Sequence, residues 1–346
     1  MRPFFVHVQR AHGTRLESRP LKEHSLWHPV MASTSLTDAP LAITLLEQEL
    51  VLWRDATGSA HAWADQCPHR GAKLSLGRVC AGRLECPYHG WQFEAGGQCV
   101  HVPAVPAFVP PASHAVSTHA VVEAYGLLWV QLQPEAGVPL PAFVAETDTQ
   151  LRKVLCGPYD VATSAPRIVE NFLDMAHFGF VHEGWLGMRE ATSIDDYRVE
   201  PTPTGLLATQ CRAWQPQSNV HSTAPAQVEY TYEVVAAYTA VLTKVPDAAS
   251  VALQGFRESI ALFICPTAPE TSRVWFRLAM ADFDSPDNKL QDFQHTIFMQ
   301  DKPVLESQRP RRLPLDVRAE VHTMADKASS AYRRFLKQET ITFGVC

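Results

Sequence analysis

Two Cys-His pairs fall within CPHRGAKLSLGRVCAGRLECPYHGW, residues 67–91: Cys67-x-His69 and Cys86-x2-His89. Thiolates suit iron–sulfur clusters and zinc, while imidazoles suit zinc and iron, so the donor types alone leave both metals open. Spacing separates the two. Structural zinc is usually gripped by Cys-x2-4-Cys or His-x3-5-His pairs, whereas here each half supplies one Cys and one His. A two-iron cluster needs that division when both thiolates hold one iron and both imidazoles the other. Neutral imidazoles in place of anionic thiolates lower the negative charge of such a cluster and raise its reduction potential. Gly71 and Gly90 close the two halves and permit tight turns.

A second constellation lies in ENFLDMAHFGFVH, residues 170–182. Asp174 and His177 are three apart, on one face of a helix, and His182 follows five residues later. Five residues of regular helix rotate by about 140°, so both imidazoles reach one ion only if the helix ends or bulges between them, and Gly179 offers the break. Two imidazoles and one carboxylate form the facial triad of non-haem Fe(II) oxygenases, with positions left open for dioxygen. Taken alone, His-x4-His beside an Asp reads as readily as two core histidines. Asp292, Asp301 and Glu306 all lie on one later predicted helix, and spacing does not choose among them.

Elements must bring these donors together. ITLLEQELVLWRD (43–55) mixes apolar and polar positions at two-residue spacing and, with ATGS and AHAWAD, predicts a hairpin. RLEC, HGWQF and QCVHV predict further short strands, and VVEAYGLLWVQL (121–132) another. A β-rich unit thus runs from about 40 to 135, with a long surface loop at Pro103, Pro106, Pro110 and Pro111 and an exit at Pro134, Pro139 and Pro141. PRIVENFLDMAHFGFV (166–181) predicts a helix with Pro166 in its first turn. Strands follow at TGLLATQCRAW, VEYTYEVVAAYT, SIALFICP and RVWFRLAMADF, then helices over 288–308 and 320–338. The last carries an apolar stripe at Val321, Met324, Ala325, Ala328, Ala331, Tyr332 and Phe335. Strands followed by packed helices predict an α+β fold.

The chain has 346 residues, room for two domains whose cores need no disulfide staple. A net charge of −6, without a basic block, argues against nucleic acid. No apolar run is long enough to span a bilayer and the N-terminus lacks a leader pattern, so a cytoplasmic protein is expected. Of eight cysteines, Cys80, Cys99, Cys156, Cys211, Cys265 and Cys346 lack a metal-type partner and read as buried or incidental thiols.

Cys67-Pro-His69-Arg-Gly and Cys86-Pro-Tyr-His89-Gly-Trp resemble the two cluster loops of Rieske proteins. The run Asn171-x2-Asp174-x2-His177-x4-His182, about 90 residues on, resembles the catalytic half of Rieske non-haem iron oxygenases. Trp27-His-Pro-Val, PYHGW and DKPVLESQRP are similar to the branch that includes vanillate O-demethylase and caffeine N-demethylase. LVLWRD, HEGWLG, RLPL and the tail FGVC resemble most the hydroxylases that tailor saxitoxin.

The resemblance implies an N-terminal all-β Rieske [2Fe-2S] domain at 26–150, after an extension at 1–25. It implies a catalytic domain at 151–346, an antiparallel sheet packed by helices in a helix-grip-like fold. It implies cluster ligation by Cys67, His69, Cys86 and His89, and mononuclear Fe(II) on His177, His182 and Asp301. Asn171 and Asp174 would then support the iron, Asp174 orienting His177 and reaching the cluster histidine of a neighbouring copy in a homotrimer. The implied activity is that of a terminal monooxygenase using O2. Its electrons would come from NAD(P)H through a separate flavin and [2Fe-2S] reductase, since the chain has no Gly-x-Gly-x-x-Gly loop. Its substrate would be a small ring compound, hydroxylated or demethylated. Alternatives are a ring cis-dihydroxylase and a Rieske electron carrier or redox sensor. Trp185, Leu186 and Met188 are candidates for the pocket wall, though an aromatic beside a ligand is more often core.

Overall fold

Short amphipathic strands in the first third of the chain close into two small sheets, and longer ones beyond residue 150 build a third. The computed structural model describes residues 21–135, 137–216, 225–245 and 258–346, so the reading of 1–20 lies outside it. The first sheet contains β1 (His28–Ala32), β2 (Leu41–Leu45), β3 (Gln48–Arg54) and β4 (Ala60–Ala64). The second contains β5 (Arg78–Cys80), β6 (Arg83–Glu85), β7 (Gln92–Phe93) and β8 (Cys99–His101), in that order. The chain then returns through β9 (Thr118–Ala124) and β10 (Leu127–Gln131), giving the first sheet the antiparallel order β1-β10-β9-β4-β3-β2.

Two single strands expected from the sequence are hairpins. Leu46 and Glu47, at φ 50° and 63°, turn the chain between β2 and β3, and Tyr125 and Gly126, at 58° and 77°, turn it between β9 and β10. Left-handed residues at both central positions match the twist of the flanking strands. Leu46 and Glu47 are not glycine or asparagine, so no ordinary turn signal marked the first break, and Gly126 alone marked the second.

The second half begins with β11 (Arg152–Val161), α1 (Ala165–Phe172) and α2 (Phe178–Val181), then β12 (Arg198–Thr202) and β13 (Gly205–Gln215). β14 (Ala226–Ala236), β15 (Thr239–Val245), β16 (Glu258–Ala268) and β17 (Thr271–Met280) complete an antiparallel sheet ordered β11-β17-β16-β15-β14-β13-β12. α3 (Asp287–Ser307) and α4 (Lys327–Gln338) end the chain, α3 packing on β11 and α4 on β13. The mixed α+β class therefore holds. β1, β5, β11, β12 and β15 had no counterpart in the sequence reading. The final helix starts at Lys327, behind a capping box of Thr323 and Asp326, so Val321 and Met324 lie outside it and exposed. Only Ala328, Tyr332 and Leu336 form its buried ridge, with Ala331 and Phe335 beside them.

The near-continuous apolar runs of β16 and β17 arise because this sheet is covered on both faces. Leu262 and Ile264 join the core under the helices, while Ala261, Phe263 and Cys265 join the core shared with the first sheet. Phe263 stacks on Tyr125 at 5.4 Å and meets Trp129 edge-on at 5.0 Å. The Leu46-Glu47 turn docks on the same strand end, its two N–H groups donating to the carbonyls of Pro266 (2.8 Å) and Thr267 (2.9 Å). Burying one such phenylalanine contributes about 1.5–3 kcal/mol. At the start of the described chain, Glu23 is fully buried and accepts from the N–H groups of Thr342 and Phe343 at 2.6 and 2.7 Å. Residues 21–25 are thus packed against the C-terminal segment.

Candidate active site

The two Cys-His loops have nearly the same backbone. Cys67 N–H donates to the carbonyl of Ala72 and Gly71 N–H to that of Cys67; Cys86 and Gly90 make the same pair with Trp91 and Cys86. Gly71 (φ 72°) and Gly90 (φ 69°) take the left-handed position that closes each loop, where a side chain would be strained. Beneath them Trp53, Trp63, Leu74, Leu84 and Phe93 form a small apolar core, and buried Asp65 accepts from Ser75 N–H and Oγ at 2.7 and 2.6 Å. The loops thus stand on a fixed base.

Both thiols are buried, His69 is half-buried and His89 exposed, with the imidazole centroids 4.5 Å apart. Nδ1 of His69 is shielded from solvent with no protein partner, as expected of a nitrogen reserved for a metal. Burial, with Cys86 adjacent, pushes the Cys67 thiol up to about 12. A coordinated metal removes that penalty by deprotonating the thiol. These four residues therefore fit a cluster with two sulfur and two nitrogen ligands. His69 also stacks flat on Trp91 (4.5 Å, 5°), which stacks on His114 (5.3 Å, 2°).

The second constellation is assembled differently from the sequence expectation. Ser164 caps α1, with Pro166 in its first turn, but the helix stops at Phe172. Asp174 ends it, because its Oδ1 accepts the N–H of Ala176 at 2.8 Å and the chain folds into a turn. Asp174 and His177 therefore meet across a turn, with Oδ2 3.1 Å from Nδ1 of His177. The break precedes His177 and does not fall at Gly179: His177 and His182 bracket the single turn of α2. Gly179 lies inside that turn because a Cβ there would meet the carbonyl of Met188 at 2.8 Å.

α3 brings the carboxylate from across the fold. Asp301 Oδ1 lies 3.5 Å from His177 Nε2 and 3.2 Å from His182 Nε2, and one donor atom from each residue falls within 4.8 Å of the others. Asp292 is exposed on the same helix, and Glu306 turns away to accept the N–H of Ala162 at 2.9 Å. Each member of the trio has one neighbour holding its other side. Asp174 takes His177, the amide of Asn171 donates to Asp301 at 3.3 Å, and Gln300 Oε1 accepts from His182 Nδ1 at 2.8 Å. Burial works to raise the Asp174 carboxyl, yet the hydrogen bond and charge of His177 and the N–H of Ala176 outweigh it and hold it below its ordinary value. The sequence reading missed Gln300; its only signal was its place beside Asp301. An imidazole binding through Nε2 needs an acceptor at Nδ1, and this set supplies both.

The trio opens on a cavity with about 760 Å³ of empty space, its mouth included. Phe172, Tyr232, Leu262, Phe276 and Phe298 give it an apolar, aromatic wall. Of the three wall candidates, Leu186 lines it; Trp185 is partly exposed, 5.7 Å from the wall residue Phe293, and Met188 lies outside. Among the described residues no hydrogen bond, ion pair or ring contact joins the Cys-His loops to the His177 trio.

Residues 26–123 match the Rieske [2Fe-2S] domain, and residues 161–339 match the Vanillate O-demethylase oxygenase C-terminal domain. Methylxanthine N1-demethylase NdmA of Pseudomonas putida is 35% identical over 326 residues, covering 90% of this chain and 88% of its own. This chain is a Rieske oxygenase. Methylxanthine N3-demethylase NdmB of the same organism is 29% identical over 94% of this Rieske oxygenase and 92% of its own length. The solved structure of Pseudomonas putida CBB5 NdmA with caffeine superposes with a TM-score of 0.77 at 31% identity, covering 91% of this chain and 90% of that one. Dicamba monooxygenase bound to dicamba shares the fold, with a TM-score of 0.74 at 24% identity, covering 92% and 98%. The Rieske oxygenase is accordingly a non-haem iron monooxygenase component that uses a [2Fe-2S] cluster, a mononuclear iron and O2, with electrons reaching it from NAD(P)H through a separate reductase. No described helix is long and apolar enough to cross a membrane.

Proposed function

We propose that this chain oxidatively removes a methyl group from nitrogen or oxygen on a small, flat, ring-containing substrate. Cys67 and Cys86 hold one iron of the cluster, His69 and His89 the other, and His177, His182 and Asp301 hold the mononuclear iron. One observation carries the reading: three donors converge within 4.8 Å on the wall of an aromatic cavity, each steadied by a second residue. When bound, the iron activates dioxygen for insertion into a C–H bond, and a hydroxylated N- or O-methyl group breaks down to formaldehyde. The chain's own part is positional. Phe172, Phe276 and Phe298 exclude water and hold a planar ring, and Gln294, a buried amide on the cavity wall, offers both a donor and an acceptor to its edge. The names of the relatives, two methylxanthine demethylases and dicamba O-demethylase, favour demethylation over cis-dihydroxylation.

Asp174 keeps His177 in one tautomer and leads from it toward the surface, since its side chain remains about a third exposed. With no contact between the two centres among the described residues of one chain, the electron passes between copies, from a neighbour's cluster histidine through Asp174. A ring of identical chains, a trimer, provides this. Exposed Tyr88, Val105, Phe108 and Val109 around the cluster loops supply an apolar surface for that contact. The functional halves are 26–150 and 151–346, and a flavin and [2Fe-2S] reductase feeds the cluster. Eight free cysteines suit the reducing cytoplasm.

Three irons per chain are expected, and in a screen of N-methyl purines, methoxylated aromatics, guanidinium alkaloids and steroids, formaldehyde formed in step with NADH consumption is expected from a substrate bearing an N- or O-methyl group. A diol product would move the activity to dihydroxylation, and two irons per chain would leave an electron carrier. His177→Ala should lose the mononuclear iron and keep the Rieske spectrum, Cys86→Ala the reverse. Asp174→Asn should keep both metals and lose turnover; ordinary activity in that variant, or in a monomer by mass photometry, would remove the route between copies.

A further inference from the structure

Apart from the His177, His182 and Asp301 trio, the cavity wall carries one ion pair among the described residues, and it stands on the sheet. Pairing across β14, β15 and β16 sets Tyr230 opposite Lys244 and Lys244 opposite Glu258, a polar row whose side chains all line the cavity. Two residues along the same strands, the next row is Tyr232, Leu242 and Ile260, and the one beyond is Val234, Ala240 and Leu262. Because strand side chains alternate, these rows share one face, and the cavity floor passes from aliphatic to charged along it. The Lys244 and Glu258 side chains are only 15% and 8% exposed, and their charged ends are in contact.

A buried ion pair seldom repays its own desolvation, and a hydrophobic pair of similar volume at this place would be neutral or better for the fold. An ordinary contribution to stability therefore does not explain it, whereas recognition does. Lysine has three donors, and among the described residues Glu258 is its one ion-pair partner, so donors remain for a ligand. Glu258 also cancels the lysine's charge. A carboxylate arriving here would gain from Lys244 but be repelled by Glu258 a few ångströms away, after losing its hydration. A carbonyl oxygen, which brings no charge, takes the hydrogen bond without that cost.

We propose that Lys244, paired with Glu258, is the polar subsite of the cavity and selects a neutral, carbonyl-bearing ring over a ring bearing a carboxylate. This rests on the demethylase reading above and assigns its substrate class.

The test uses holoenzyme with both metal centres loaded and measures dissociation constants by calorimetry for three probes: caffeine, a neutral N-methylated ring with two carbonyls; dicamba, a methoxylated benzoate; and the primary amide of dicamba. Wild type should bind caffeine and the amide at least tenfold more tightly than dicamba. Lys244→Met should weaken the neutral probes about tenfold or more. Glu258→Gln should reverse the order for the matched pair by freeing the lysine's charge for the benzoate. If that variant fails to fold, the double variant Lys244→Met, Glu258→Leu, which buries no charge, should bind amide and benzoate equally weakly. Wild type binding dicamba as well as its amide, or binding none of the probes, overturns the proposal, as does unchanged affinity in Lys244→Met. Formaldehyde release across the wider panel reads the demethylase activity separately: its absence alongside the expected binding order removes that reading alone, and its presence with unaltered variants removes the subsite alone.

Discussion

Asp174, Asn171 and Gln300 show how little a donor achieves without its neighbour. Imidazole binds a metal through one nitrogen, and the partner of the other nitrogen sets the tautomer and the ring's direction. Gln300 does this for His182, which is almost wholly buried and so cannot borrow a water for the purpose. Gln300→Leu should therefore weaken iron binding by about 10- to 100-fold, seen in a ferrous titration followed by metal analysis, with the Rieske absorbance unchanged. Glu306→Gln, on the same helix, is the control and should leave iron affinity intact, because its carboxylate serves Ala162 N–H. The sequence marked Asp174, His177 and His182 by type and spacing. It could not mark Gln300, because glutamine beside aspartate on a helix has no spacing rule attached to it.

The loops and helices that carry these residues have their own tolerances. Gly90 holds φ 69°, and a Cβ there would stand 3.1 Å from Pro103 Cγ. Gly90→Ala should cost about 1–2 kcal/mol and lower the cluster content per chain, read from the visible spectrum against protein concentration. α1, which leads into the iron turn, is tied to α4 by buried charges: Arg167 donates to Glu320 at 2.6 Å and Arg333 to Glu170 at 2.6 Å, with Glu320 also paired to Arg333. Burial would raise the Glu320 carboxyl, but hydrogen bonds from Arg167 and Arg333 hold it at about 2. A folded-state value below the ordinary 4.5 means that this stability is fully present above pH 4.5 and lost as pH falls toward 2. The urea midpoint of wild type should exceed that of Glu320→Gln at pH 6, and the gap should shrink as pH falls to 3. The helix over 166–181 was legible only in its first half, since the Asp174 turn competes with helix by a local hydrogen bond that periodicity does not reveal.

The two halves share one core because the large sheet has no solvent face at β16 and β17. Phe263→Ala should therefore cost about 3–5 kcal/mol and lower the melting temperature of the whole chain in one transition, measured by calorimetry. Separate transitions would mean that the shared core does not couple the halves. Read from the chain alone, the two Cys-His loops, the His177 and His182 pair and the α+β class were legible, because metal chemistry constrains residue type and short spacing directly. Only the tertiary structure decided which carboxylate faces the histidines, where the helix before them stops, and which charges reach the cavity wall. Those outcomes depend on contacts such as His182 with Asp301 or Tyr230 with Lys244 and Glu258, between residues far apart along the chain, and no local pattern records the direction in which a strand row or a helix face finally points.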